Sequence, residues 1–128
     1  MTNAPALLLD SNVVVWLDQK PERLSDIVRQ RIESAPLVFL SAVTAWELSI
    51  KQSLGALTLA RPVSDLLGAH ALTELPVTIR HGEAVRNLPL YHRDPFDRLL
   101  VAQATVEGLI LVSGDRLLLR YGIPILRV

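Results

Sequence analysis

Short apolar runs recur along the chain and predict the strands of one sheet. The runs cover residues 6–9, 37–40, 75–78, 109–112 and 123–128. The first, second and fourth are almost wholly apolar and lack the alternation of a sheet that faces water on one side. Continuous apolar runs of this length are typical of strands that are covered on both faces. The pattern therefore predicts a central, mainly parallel sheet of about five strands.

Helical segments alternate with these strands, and capping residues mark where they start and stop. The predicted helices cover residues 21–34, 42–54, 62–72, 80–87 and 97–107. Ser41 suits the start of the second helix, whereas Gly55 and Gly108 suit the ends of the second and the last. We therefore expect an α/β fold, a three-layer α/β/α sandwich. No linker or repeat divides the sequence, so one domain is expected over residues 1–128.

Composition and charge narrow the class of protein. Half of the residues are apolar and the formal net charge is zero, which indicates a folded protein without bulk attraction to nucleic acid. Any RNA contact must then come from a local basic patch. The absence of cysteine excludes disulfides and zinc–thiolate sites. The sequence shows neither a signal-peptide pattern nor an apolar run of membrane-spanning length, so we expect a cytoplasmic protein that does not contact membranes.

Two acidic residues follow predicted strands, where sites in parallel sheets form. Asp10 comes directly after the first strand, and Asp115 lies three residues past the end of the fourth. The carboxyl ends of parallel strands lie at the same edge of a sheet, so both carboxylates are expected at that edge. Taken singly, each acid is equally consistent with capping of a following helix.

Two further acids lie on helix faces that are otherwise apolar. Glu47 is placed within a face of the 42–54 helix, and the apolar members of that face are Val43, Ile50 and Leu54. Asp97 opens the last helix on its buried side, and the apolar members of that side are Leu100, Val101 and Ala104. The structural alternatives are a basic partner for Glu47 and a capping role for Asp97.

The combination of these four acids predicts a site for a divalent metal ion. No buried basic residue is expected among them, so converging carboxylates would repel one another or take up protons at neutral pH. A hard divalent cation removes this conflict, and clusters of oxygen ligands suit Mg²⁺ or Mn²⁺. Such an ion lowers the pKa of bound water and stabilises charge on a leaving oxygen. The chemistry predicted for the site is hydrolysis of phosphodiester bonds.

Four sequence motifs contain the four acids. They are Leu-Leu-Leu-Asp-Ser-Asn-Val-Val-Val-Trp-Leu at 7–17, Ser-Ala-Val-Thr-Ala-Trp-Glu-Leu at 41–48, His-Arg-Asp-Pro-Phe-Asp-Arg-Leu-Leu-Val-Ala-Gln-Ala at 92–104 and Leu-Val-Ser-Gly-Asp at 111–115. In this order, and over nearly the whole chain, they resemble the PIN-domain ribonucleases and, within that family, the VapC-type toxins of bacterial toxin–antitoxin pairs. The segment 92–104 is the most specific of the four matches.

The resemblance implies a PIN fold and an endoribonuclease that depends on Mg²⁺ or Mn²⁺. It implies that the catalytic and metal-binding residues are Asp10, Glu47, Asp97 and Asp115. The expected partners are an RNA substrate and a cognate antitoxin, with a homodimer and a toxin–antitoxin hetero-oligomer as the assemblies. Ser11 and Asn12 stand where the family more often has Thr-His, and Ser113 stands where Thr is frequent. These three side chains are expected to donate hydrogen bonds around the acids.

Other residues near the motifs are given supporting roles. Asp94 precedes Pro95 and is expected either to cap the last helix or to support the acids around the metal. His92 is expected to pack within its loop. Three arginines flank the acids and are candidates for contacts with RNA phosphates, although exposed arginines are most often plain solvated surface. They are Arg93, Arg98 and Arg116.

Two other classes of function stay open at this point. In an aspartyl phosphotransferase or phosphatase, Asp10 would be the nucleophile. Such enzymes usually place a second Asp two residues further on, where this chain has Asn12. In a non-catalytic acidic binding module, the same acids would be structural caps, and no function would depend on divalent metal.

Overall fold

Five parallel strands form the central sheet of the computed structural model, which describes residues 5–128. The strands are β1 (Leu7–Leu9), β2 (Val38–Ser41), β3 (Thr73–Leu75), β4 (Ile110–Ser113) and β5 (Ile125–Arg127). Their order across the sheet is β3-β2-β1-β4-β5, and all neighbouring pairs are parallel. The predicted sheet is confirmed. The predicted domain also includes residues 1–4, which lie outside the described residues.

Six α-helices and two 3-10 helices connect the strands in the described part of the chain. The α-helices are α1 (Ser11–Gln19), α2 (Asp26–Ser34), α3 (Ala42–Ser53), α4 (Val63–Ala69), α5 (Ile79–Val85) and α6 (Pro95–Glu107). The 3-10 helices are Pro21–Arg23 and Arg116–Tyr121. Gly108 ends α6 with a positive φ of 67°, a conformation that favours glycine. Over residues 5–128, the helices are too short or too polar to cross a membrane.

Alternate side chains of the sheet point into two separate apolar cores. Leu7 and Leu9 pack on one face with α1, α2 and α4, whereas Leu8 packs on the other face with α3 and α6. Helix α5 packs against α6 on this second face. This division follows from the period of two along a strand, which sends neighbouring side chains to opposite sides. The predicted three-layer α/β/α arrangement is confirmed.

Helix α1 is the main element that the sequence pattern misses. The helix follows β1 without a loop, because Asp10 is both the residue after the strand and the N-cap whose carboxylate accepts from Ser11 N. The β-branched run Val13–Val15 favours a strand by propensity and shows no helical period. Burial of Val13 and Val14 in the first core stabilises the helix instead.

Among the other predicted segments, one strand and one helix are displaced most from their expected positions. The strand predicted at 75–78 lies at Thr73–Leu75, because Pro76 has no N–H to donate and ends the ladder. Helix α2 begins at Asp26 with Ser25 as its N-cap, and Pro21 opens a short 3-10 helix instead of the α-helix predicted from that residue.

Candidate active site

Adjacent strands bring Asp10 and Asp115 to the same edge of the sheet. Strand β1 lies at the centre, and Asp10 N, directly after it, donates to Val112 O of β4 at 2.9 Å. Ser113 then joins the two acids: its hydroxyl donates to Asp10 Oδ2 at 2.6 Å and accepts from Asp115 N at 3.0 Å. Because the strand order reverses beside β1, this edge is also where a crevice opens in parallel sheets.

Helix α3 carries Glu47 on its buried face. The buried members of that face are Val43, Thr44, Glu47 and Leu48. The face differs from the predicted one, because Leu54 is 77% exposed after the helix has ended. Glu47 itself is 5% exposed, and its Oε1 accepts from Ser11 Oγ at 2.6 Å. Ser11 in α1 thus connects the acid of α3 to the end of β1.

A lysine lies beside Glu47, which is the basic partner considered as the structural alternative for this acid, although the lysine is not buried. Lys51 Nζ donates to Glu47 Oε2 at 2.8 Å, and the lysine side chain is 46% exposed. The hydrogen bond to Glu47 raises the pKa of Lys51, and the charges of Glu47, Asp94 and Asp97 add to the shift. Spacing of four residues on a helix is the sequence signal for such a pair. Lys51 therefore balances part of the negative charge.

The first turn of α6 holds Asp97 and is capped by Asp94. Asp94 Oδ1 accepts from Phe96 N at 2.8 Å and from Asp97 N at 3.2 Å, which confirms the predicted cap. The Asp97 side chain is 16% exposed, and the predicted apolar members of its helix face are buried. Burial raises the pKa of Asp97 to about 7, and repulsion by the Asp10 and Asp94 carboxylates adds to it.

The four acids lie close enough together to repel one another. Burial raises the pKa of Asp10 above its ordinary value despite hydrogen bonds from Ser113 and Ser11, and the charges of Glu47 and Asp115 raise it further. Asp97 is in turn repelled by Asp10 and by Glu47. Within residues 5–128, the chain thus gathers carboxylates from the ends of β1 and β4 and from α3 and α6. This is the convergence that the sequence predicts.

His92 has a different position from the one expected. Its Nε2 lies 2.7 Å from Asp115 Oδ2 and 3.1 Å from Asp97 Oδ2, so it is part of the acidic cluster and not a packing residue of its loop. One ligand atom from each of these three residues lies within 4.8 Å of the others. No periodic pattern marks His92, because a loop carries it to the site.

Of the other residues given supporting roles, three are exposed to solvent and one is hydrogen-bonded within the protein. Asn12 is exposed and, with Lys51, lines a groove of about 380 Å³ between α1 and α3. Arg93 and Arg116 are exposed and remain candidates for RNA contacts. The prediction that Arg98 contacts RNA is wrong, because its guanidinium donates to acceptors within the protein and is not free to bind a phosphate. These acceptors are Val85 O, Leu88 O, Pro89 O, His92 O and Tyr121 Oη.

Arg98→Ala is expected to lower the free energy of unfolding by about 2–3 kcal/mol. The substitution leaves backbone carbonyls of the 85–92 segment without their charged donor, and hydrogen bonds to charged groups contribute about 1.5–3 kcal/mol. Urea unfolding measures the change. Arg93→Ala, at an exposed site on the same loop, is the matched control and should change stability by less than about 0.5 kcal/mol. Equal stabilities of the two variants would contradict the anchoring role.

Comparison with known proteins assigns the chain to a family. The family model described as the PIN domain matches residues 7–124. The chain belongs to the PIN-domain family. The chain is also similar to Ribonuclease VapC22 of Mycobacterium tuberculosis (strain ATCC 25618 / H37Rv), with 34% identity over 113 residues, covering 86% of this chain and 87% of the relative.

Solved structures show the same PIN fold at lower identity. A DNA-bound VapBC from Salmonella typhimurium has a TM-score of 0.70 at 19% identity, over 97% of this chain and 98% of that one. VapBC2 from Rickettsia felis, bound to a fragment of promoter DNA, has a TM-score of 0.71 at 14% identity, over 95% and 98%. FitAcB from Neisseria gonorrhoeae has a TM-score of 0.67 at 20% identity, over 94% and 96%. The predicted PIN-like sandwich is confirmed.

Proposed function

We propose that this PIN-domain protein is a metal-dependent endoribonuclease and the toxin of a bacterial toxin–antitoxin pair. The observation that carries the proposal is the convergence of four carboxylates, two of which have raised pKa values because of burial and mutual repulsion. The likeness to Ribonuclease VapC22 over most of the chain supports RNA as the substrate.

The donor set fits a hard divalent cation. Asp10, Glu47, Asp97 and Asp115 offer carboxylate oxygens only, which are the ligands that Mg²⁺ and Mn²⁺ prefer. Lys51 is half-exposed and contacts Glu47 alone among these four, so negative charge remains for an ion to neutralise. A bound ion would supply a water of lowered pKa and would stabilise charge on the scissile phosphate.

The chain's own residues hold the four acids in place for this chemistry. Ser113 and Ser11 donate to Asp10 and Glu47, and these hydrogen bonds restrict the rotation of both carboxylates. In the metal-free protein the pKa of Asp97 is about 7, and a bound cation would favour the ionised form of this carboxylate. Arg93 and Arg116, both exposed, are proposed to contact the phosphates of the RNA.

The alternative in which Asp10 is a nucleophile gains no support from the geometry. Asp10 is 6% exposed, and both of its carboxylate oxygens already accept hydrogen bonds, one from Ser11 N and one from Ser113 Oγ. A phosphoryl group has little access to an oxygen that is held in this way. A non-catalytic binding module, unlike the proposed enzyme, would not depend on a divalent metal for its function.

A direct experiment on the proposed function uses purified protein and total cellular RNA. Cleavage is expected with Mg²⁺ or Mn²⁺ and is expected to stop with excess chelator and to resume when the metal is restored. Sequencing of RNA ends after brief expression of wild type and of Asp97→Asn would then identify the cleaved RNA. Cleavage that continues unchanged in chelator would contradict metal dependence, and a protein without any cleavage would favour the binding module.

The proposed partner is a cognate antitoxin, with a homodimer inside the hetero-oligomer. The likeness to VapC22 and to the VapBC structures supports this assembly. Several large apolar side chains of the described chain are exposed and would suit protein contacts, among them Ile27, Leu54 and Ile79. If a gene for a small protein adjoins this one, co-expression of the two, followed by measurement of the mass of the complex, tests the pairing.

Lys51→Met is expected to tighten binding of Mn²⁺ by about two- to fivefold. The lysine competes with a cation for Glu47, and partly exposed ion pairs contribute about 0.2–1 kcal/mol. Isothermal titration calorimetry measures the dissociation constant. Lys20→Met, at an exposed lysine beyond the end of α1, is the matched control and should leave the constant unchanged. Weaker binding by Lys51→Met would show that the lysine supports the ion and does not compete with it.

A further inference from the structure

A histidine lies between two of the acids. His92 Nε2 is in hydrogen-bond geometry with Asp115 Oδ2 at 2.7 Å and lies 3.1 Å from Asp97 Oδ2. The imidazole is 13% exposed, so the ring is nearly enclosed by the site. These distances allow two roles. The ring is either a further metal ligand or a hydrogen-bond donor that holds the acids.

The second nitrogen of the ring distinguishes these two roles. His92 Nδ1 accepts a hydrogen bond from the backbone N–H of Asp94 at 3.1 Å. A nitrogen that accepts this bond carries no proton, so the proton of the ring is on Nε2. Nε2–H therefore donates to Asp115. If His92 bound a metal through Nε2, the lone pair of Nε2 would face the metal and the ring proton would be on Nδ1. That proton would then point at the backbone N–H of Asp94, so two donors would face each other.

The loop around His92 is anchored so that the ring orientation is fixed. The backbone N–H of His92 donates to Tyr121 Oη at 3.0 Å, and Arg98 Nη1 lies 3.4 Å from the His92 carbonyl oxygen. Asp94, whose N–H meets the ring, also caps the helix that carries Asp97. One turn thus sets the positions of both the imidazole and the Asp97 carboxylate.

We propose that His92 is a positioning residue whose Nε2–H holds the Asp115 carboxylate beside Asp97, so that both acids present oxygens to one divalent cation. The inference rests on the proposed function. Asp115 is 33% exposed against 16% for Asp97, so it has the greater freedom to turn away and the greater need of a partner. Partners of this kind contribute about 10–100-fold to metal affinity.

Titration of metal-free protein with Mn²⁺ tests the inference on three variants. His92→Ala should weaken binding about tenfold or more, whereas His92→Gln, whose amide can donate from a similar position, should stay within about threefold of wild type. His70→Gln is the matched control, because His70 also contacts an aspartate, Asp18, but at the far end of α1. This control should bind Mn²⁺ as wild type does.

Two spectra separate a positioning donor from a ligand. In metal-free protein, long-range ¹H–¹⁵N correlation should show the proton of His92 on Nε2. In Mn²⁺-loaded protein, pulsed electron paramagnetic resonance should show no coupling to a directly bound imidazole nitrogen. A proton on Nδ1, a bound nitrogen, or wild-type affinity in His92→Ala would each overturn this inference alone. If wild type bound no Mn²⁺, the proposed function would fall, and this inference with it.

Discussion

Asp10→Asn is expected to reduce RNA cleavage more than about 100-fold, beyond the loss seen for partners that only support a metal ligand. The substitution removes a negative oxygen from the centre of the acidic cluster, where Asp10 interacts with Glu47, Asp97 and Asp115. Its effect on the fold should be small, because the Asn carbonyl can still cap α1 at Ser11 N. Initial rates in Mg²⁺ or Mn²⁺ measure the loss.

Controls for this prediction separate lost chemistry from lost structure. Asp26→Asn removes an aspartate that is 93% exposed and paired with Arg29 in α2, so its cleavage rate should equal that of wild type. Circular dichroism and the unfolding midpoint should show that Asp10→Asn is folded. Equal cleavage by wild type, Asp10→Asn and Asp97→Asn would refute the assignment of the site.

Asp97→Asn is expected to stabilise the metal-free protein at pH 8 by a few kcal/mol. The folded protein raises the pKa of Asp97 from 3.8 to about 7, so the folded state binds this proton more tightly than the unfolded state does. Between pH 4 and pH 7 the unfolded chain has lost the proton that the folded chain retains. The free energy of unfolding therefore falls as the pH rises through this window. Above the window, the full cost of the buried Asp97 charge remains. Asparagine carries no charge and removes the penalty.

Urea unfolding at pH 4, 6 and 8 measures this effect. The free energies of unfolding of wild type and Asp97→Asn should be nearly equal at pH 4, and the variant should become the more stable of the two as the pH rises. Saturating Mn²⁺ at pH 8 should stabilise wild type more than the variant, because the ion neutralises the charge that asparagine lacks. Asp26→Asn should follow the wild-type profile. If the difference in free energy of unfolding between wild type and Asp97→Asn did not grow with pH, the raised pKa of Asp97 would not be the cause of the stabilisation.

The sequence was sufficient to predict the layers of the fold and the convergence of the acids. Buried parallel strands leave a clear signal, because their apolar runs show no alternation, and the edge at which Asp10 and Asp115 meet follows from strand direction alone. The place of Asp97 followed from helical period, since its helix continues regularly to Gly108. The helical period predicted the buried face of α3 less well, because the helix ends before Leu54 and this residue is exposed.

Features that depend on the tertiary fold escaped the sequence pattern. Helix α1 is stabilised by burial of Val13 and Val14, against the propensity of its β-branched run. His92 reaches the site through a loop held by Tyr121 and Arg98, and no spacing along the chain predicts such anchors. Lys51 was within reach of a sequence argument, because it stands one helical turn after Glu47.

The order of the sheet has a consequence for the synthesis of the protein. Asp10 leaves the ribosome early, but β4, which pairs with the strand that Asp10 follows, is the fourth of the five strands to be made. The hydrogen bond from Ser113 to Asp10 spans 103 residues. A nascent chain that ends before β4 has at most three of the acids and lacks Ser113, whose hydroxyl holds the Asp10 carboxylate. The acidic site would therefore be complete only after β4 and Asp115 have been made.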